Sequence, residues 1–138
     1  MDGDRRAVSS MEDETMTDQT FPHERLDAWH AACRALVAGQ AYLDTLPPGY
    51  GDERNQISRA SRSVVRNLCE GAGRWQPGDK IRCFEIASGE ASDSAGAVQV
   101  LLVLGVGDET LGRDFLAAMR RTASMLTGLI QAQHRRRG

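Results

Sequence analysis

The sequence predicts an all-α fold, an up-and-down antiparallel bundle of four helices. Apolar residues recur at steps of three and four over four separate stretches. Proline, glycine or aspartate stands at the ends of each stretch, where helices start and stop. The connections between stretches are short, which favours antiparallel neighbours. The expected helices cover about residues 24–46, 53–71, 77–104 and 109–134.

The first stripe runs through Leu26, Trp29, Cys33, Leu36, Gln40 and Leu43, with Val37 adjoining. Alanines at 28, 31, 32, 35, 38 and 41 raise helix propensity and permit close neighbours. Pro47, Pro48, Gly49 and Gly51 cannot continue the helix. Asp52 is the expected N-cap of the second helix, whose apolar face carries Ile57, Ala60 or Ser61, Val64, Leu68 and Gly71. Gly71 and Gly73 are expected to end it, supplying the φ > 0 conformations of a helix exit.

Pro77 suits the first turn of the third helix, where a missing N–H costs nothing. Ile81, Phe84, Ala87, Ala91, Ala95, Val98 and Leu102 follow at helical spacing, and Gly105 and Gly107 close the element. Residues 87–97 of this helix are almost all small, which lets another helix, of this chain or of a second copy, approach closely. Asp108 caps the fourth helix, which carries Leu111, Phe115, Met119 or Ala118, Thr122, Leu126 or Met125, and Leu129. It runs out into a basic end at 135–138, where arginines complement the negative pole of the helix dipole.

At 138 residues, 41% hydrophobic and 26% charged, the chain is one domain able to bury a core. Aromatics at 5% make that core one of aliphatic side chains and alanine. The net charge of −2 is unevenly spread: residues 1–20 hold six acids and two arginines, so residues 21–138 carry a net +2. The first 20 residues have no apolar periodicity and are expected to form a disordered acidic tail ahead of the bundle at 21–134. Three cysteines without CxxC spacing argue against a disulfide framework and for a reducing compartment. The N-terminus lacks the order of a secretory signal, and the longest apolar run, 97–106, falls short of the roughly 20 residues that cross a bilayer. The cytoplasm is the expected location, with no membrane contact.

Chemistry has no visible seat. His23, His30, Cys33, Cys69, Cys83 and His134 are scattered, and only His30 and Cys33 share a helical face, so no metal or other cofactor is expected. There is no nucleophile elbow, P-loop or dinucleotide fingerprint. Glu85 and Glu90 lack the Glu-x-x-His motifs of a di-iron bundle and read better as surface acids. The expectation is a protein that is not an enzyme.

The basic residues are more informative. Arg59, Arg62 and Arg66 fall on one face of the second helix, with Arg54 about one turn earlier and Arg74 just past its end. Two readings stand side by side. One is a ridge of guanidinium groups contacting phosphates; the other is a solvated face paired with acids such as Glu24 or Asp27, or with those of a neighbouring subunit. Trp29, Trp75 and Tyr50 are too dispersed in sequence to argue for base stacking.

The run Asn67-Leu68-Cys69-Glu70-Gly71-Ala72-Gly73-Arg74 has the form N-x-x-E-G-x-G-R and follows Ile57-x-Arg59-Ala60-x-x-Ser63. With Leu26-x-x-Trp29 upstream, and Phe84-x-Ile86-Ala87-x-Gly89-Glu90-Ala91 and residues 125–130 downstream, the chain resembles a known family over about residues 21–133. That family comprises the four-helix bundle proteins encoded in intervening sequences of bacterial large-subunit ribosomal RNA genes. It includes the accessory variability determinant proteins of diversity-generating retroelements. The resemblance implies a homopentameric, barrel-like ring without enzymatic activity. In the retroelement branch it implies a reverse transcriptase as partner and nucleic-acid binding through a basic surface. The chain departs from the family pattern in having Val64 and Val65 where proline is frequent, a core that is only mildly basic, and an acidic tail.

The expected function is therefore a homo-oligomeric helical scaffold that binds RNA, DNA or a nucleoprotein partner through Arg54, Arg59, Arg62, Arg66 and Arg74. Asn67, Glu70, Gly71, Gly73 and Arg74 are expected to serve structure and assembly. The alternative is a protein–protein adaptor with the acidic tail as docking element.

Overall fold

A computed structural model describes residues 20–138. Four helices make up the fold, α1 (Asp27–Leu43), α2 (Gly51–Gly73), α3 (Pro77–Val103) and α4 (Glu109–Arg137), preceded by a 3-10 turn at Pro22–Arg25. Among the described residues there is no strand. Each helix packs on its neighbours in sequence and α4 returns against α1, so the four close into an up-and-down bundle. The expected tail at 1–20 lies outside the described residues except for Thr20, whose hydroxyl accepts from Arg25 Nε at 2.8 Å.

The inward stripes follow helical period. Trp29, Cys33, Tyr42 and Leu43 are buried on α1; Ile57, Val64 and Leu68 on α2; Phe84, Ala87, Ala91 and Val98 on α3; Phe115, Met119 and Leu126 on α4. Burying one such side chain contributes roughly 1.5–3 kcal/mol. Two buried hydroxyls turn back to their own helices: Thr122 Oγ1 donates to the Ala118 carbonyl at 2.9 Å and Ser94 Oγ to that of Ala91 at 3.0 Å. Gln40, expected on the α1 stripe, is exposed instead and donates to Asp44 Oδ1 at 2.9 Å. Tyr42 takes the inward place.

Several ends differ from the sequence expectation. The first helix is not continuous from 24. Pro22–Arg25 forms its own 3-10 turn, closed by the Phe21 N–H donating to Glu24 Oε1 at 2.8 Å, and Leu26 is extended at φ −95°, ψ 117°. At the other end Thr45 and Leu46 donate to the carbonyls of Tyr42 and Leu43, a tightened last turn that stops α1 at Leu43 rather than 46. Asp52 is not the N-cap of α2. The helix begins at Gly51 with Tyr50 in the cap position, and Asp52 and Glu53 lie in the first turn, where their charge still meets the positive pole. The α2 helix runs unbroken to Gly73, and neither Gly71 nor Gly73 takes the expected φ > 0. Pro77 opens α3 as expected, and Asp108 caps α4 by accepting the Leu111 N–H at 2.9 Å.

The reason for glycine at 71 is packing. A Cβ there would stand 2.6 Å from Phe84 Cε1 and 3.0 Å from Cys83 Cβ, so the absent side chain lets α2 and α3 close on each other. A Cβ on Gly73 would meet nothing within 4 Å. Of the small residues at 87–97, Ala87, Ala91 and Ser94 face the core, whereas Gly89 and Gly96 look onto open space.

Candidate nucleic-acid interface

The α2 stripe fixes where its arginines point. At 3.6 residues per turn, Arg59, Arg62 and Arg66 fall within an arc of about 60° on the side opposite Ile57, Val64 and Leu68. All three are exposed, and none forms an ion pair with another described residue. Arg59 and Arg66 also line a shallow groove of about 520 Å³ between α2 and α3, floored by Ala60 and Ser63. Asp52, Glu90 and Asp93 share that groove, so its charge is mixed. Arg62 stands on the far side of the ridge, away from those acids.

The other two expected arginines are engaged. Arg54 is half-buried and reaches back to α1: its Nε donates to the Leu43 carbonyl at 3.3 Å and a terminal nitrogen to that of Leu46 at 3.1 Å. It thereby adds a second donor to the Leu43 carbonyl, which the Leu46 N–H also reaches, and a donor to the Leu46 carbonyl just past the end of α1. Arg74 is held 2.6 Å from Glu70 Oε1, with each side chain about half exposed. Hydrogen bonding to Glu70, then the charge of that carboxylate, pushes the Arg74 pKa upward.

The signature around these residues builds the α2–α3 corner. Asn67 Nδ2 donates to the Ser63 carbonyl at 2.9 Å and to Ser63 Oγ at 3.0 Å, one turn back along its own helix. At the end of α2 Lys80 Nζ donates to the carbonyl of Gly71 at 3.1 Å, which also accepts the Arg74 N–H, and to that of Ala72 at 2.9 Å. Sequence reasoning missed Lys80, because nothing local in residues 77–84 marks a lysine that reaches across the corner. Burial, reinforced by the nearby charge of Arg136, pushes the Lys80 pKa down.

The acids and metal-ligating types do not assemble. Glu85 is exposed, and Glu90 turns to the α2–α3 groove. Among the described residues no group of three or more His, Cys, Asp or Glu side chains could hold a metal ion. One pair stands out, Cys69 Sγ lying 3.4 Å from His23 Nδ1. Burial pushes the Cys33 thiol up to about 11, which leaves it a small apolar core group at neutral pH. Among the described residues no helix is long and apolar enough to cross a membrane.

The fold is thus a closed helical bundle whose solvent face carries Arg59, Arg62 and Arg66 without an ion pair among the described residues. The family model for 23S rRNA-intervening sequence proteins matches residues 24–128, and the chain belongs to that family. No curated protein matches the chain. The matched span covers α1, α2 and α3 and most of α4, and so includes the N-x-x-E-G-x-G-R signature and the ridge.

Proposed function

We propose that this chain is a non-catalytic, homo-oligomeric helical scaffold that engages RNA, or a nucleoprotein, through Arg59, Arg62 and Arg66. The observation that carries this reading is the division of labour among the α2 arginines. Arg54 and Arg74 are held by partners within the chain, whereas the three between them are exposed on one ridge without an ion partner among the described residues. Guanidinium groups so placed meet phosphate oxygens without first breaking a contact. The groove acids at 52, 90 and 93 direct a polyanion along the outer side of the ridge, toward Arg62, rather than into the groove.

Assembly is supported by the outer face of α3. Val100 and Val103 are exposed, and Leu104 beyond the helix end is exposed with them. The open spaces over Gly89 and Gly96 continue this strip along the helix. An exposed glycine in a helix interior costs about 1 kcal/mol relative to alanine, and close approach of a second copy would offset that cost. The family resemblance supports a pentameric ring in the cytoplasm as that assembly, with a reverse transcriptase as partner in the retroelement branch. The three groove acids favour a second reading, a protein–protein adaptor that uses that groove.

Binding of labelled RNA across a salt series tests the reading. The wild-type chain should bind at low salt, with log affinity falling linearly against log salt. Arg59→Ala, Arg62→Ala and Arg66→Ala together should flatten that slope by about 2. Unchanged affinity and slope in the triple variant would remove the ridge from the site.

A further inference from the structure

The two ends of the bundle differ in charge. The end where α1 and α3 finish and α2 and α4 begin gathers Asp44, Asp52, Glu53, Asp108 and Glu109, with Arg54 turned inward to backbone. The opposite end is basic. There the corner between α2 and α3 carries Trp75 at 90% exposure, while the chain's other tryptophan, Trp29, is buried at 7%. An indole left in water loses the apolar burial that favours folding, and nothing among the described residues covers it.

Cations gather at this corner. Arg74 precedes it and Lys80 sits on the end of α2 one helical turn beyond. The last turn of α4 crosses over the start of α3: a Cβ on Gly78 would stand 3.1 Å from a terminal nitrogen of Arg137. Arg136 stands close enough to Lys80 to repel its charge, and it donates to a neutral group, Gln133 Oε1, at 2.7 Å. Of the acids at this end, Glu70 is occupied by Arg74 and Glu24 by the Phe21 N–H, which leaves Asp27 and Asp79 against the cations. Positive groups are thus drawn together against their mutual repulsion, beside an exposed flat aromatic face. Polyanions with unstacked bases match both features: bases stack on the ring and phosphates meet the guanidinium groups.

We propose that the α2–α3 corner binds an unpaired segment of nucleic acid, with Trp75 stacking on a base and Arg136 and Arg137 contacting the flanking phosphates. The class of ligand rests on the RNA reading above, but the site is separate. It lies about two helical turns beyond Arg66, so one strand following the ridge reaches it. A single exposed aromatic among cations suffices here, although the tryptophans and Tyr50 are dispersed in sequence.

Intrinsic fluorescence tests this in the intact chain, since Trp75 is its solvent-facing tryptophan. Single-stranded oligouridine should quench the emission, and duplex RNA of the same length should quench it much less. Trp75→Ala should weaken single-strand binding about tenfold in anisotropy, while Trp75→Phe, which keeps a stacking face, should retain most of it. Arg136→Gln with Arg137→Gln should flatten the salt slope by about 1.4. Full-strength binding without quenching, and unaffected by Trp75→Ala, would overturn the corner site. Equal quenching by polyglutamate would overturn nucleic acid as its occupant in favour of an acidic protein. Loss of binding in the Arg59/Arg62/Arg66 variant alone would leave the ridge standing and the corner refuted. Loss in the corner variants alone would do the reverse, and a wild-type chain that binds no RNA at low salt would sink both.

Discussion

Tyr42 Oη donates to the carbonyl of Val106 at 2.7 Å, joining α1 to the α3–α4 turn across 64 residues of sequence. The ring is fully buried, and a Cβ on Gly107 would stand 2.7 Å from it. Gly107 has φ +80°, a backbone conformation that favours glycine. Tyr42→Phe should therefore destabilise the fold by about 1–2 kcal/mol, because the Val106 carbonyl loses a buried partner. Gly107→Ala should cost more, through ring overlap as well as backbone strain. Urea unfolding monitored by circular dichroism measures both, with the slope unchanged.

Gly71 and Gly73 are two residues apart and should respond in opposite ways. Gly71→Ala pushes a methyl into Phe84 and should cost roughly 1–3 kcal/mol. Gly73→Ala meets nothing and should be neutral or stabilising by up to about 1 kcal/mol. Thermal melts of the two variants separate a packing requirement from a helix-exit requirement.

Gly89→Leu with Gly96→Leu should leave the protomer folded, since neither position has a neighbour within 4 Å. If α3 forms the seam between copies, light scattering should show the mass falling from that of an assembly to that of one chain. An assembly unaffected by both leucines would place the seam elsewhere.

Stability should decline at alkaline pH. Burial raises the folded-state pKa of Cys33 from 9.0 to about 11 and that of Tyr42 above its ordinary 10.0. Both groups lose a proton more readily when unfolded, so their contribution is complete below about pH 9 and is lost progressively as pH climbs through 9 to 11 and beyond. Urea midpoints across that range should fall, and less steeply in Cys33→Ala measured relative to its own neutral-pH value. In the same fold half-buried Cys69 should alkylate before Cys33 and Cys83, which mass spectrometry of iodoacetamide-treated protein reads directly.

Much of the fold was legible because its stripes are periodic. Ile57, Val64 and Leu68, and Phe115, Met119 and Leu126, lie inward where their spacing puts them. What escaped the sequence is what depends on distant chain. Tyr42 is buried by glycines 65 and 70 residues further on, at 107 and 112, so no local pattern marks it. Gly71 was readable as a required glycine, but the reason, a phenylalanine on the next helix, was not. Arg54 looks like its neighbours on α2 in the sequence, but the fold brings it within reach of the Leu43 and Leu46 carbonyls. The ridge at 59, 62 and 66 was legible because helical phase alone sets it opposite the core. The basic corner was not, since it brings the start of α3 together with the last turn of α4.

Arg54→Ala and the Arg59/Arg62/Arg66 triple variant together test the central claim most directly, with RNA affinity and folding stability measured on each. Arg54→Ala should lower stability by about 1–3 kcal/mol, because this half-buried arginine's hydrogen bonds to two backbone carbonyls are lost, and leave RNA affinity per folded molecule unchanged. The triple variant should keep its stability and lose affinity about tenfold or more at low salt, with a flatter salt dependence. Full RNA affinity in the triple variant, with the wild-type salt slope, would contradict the account.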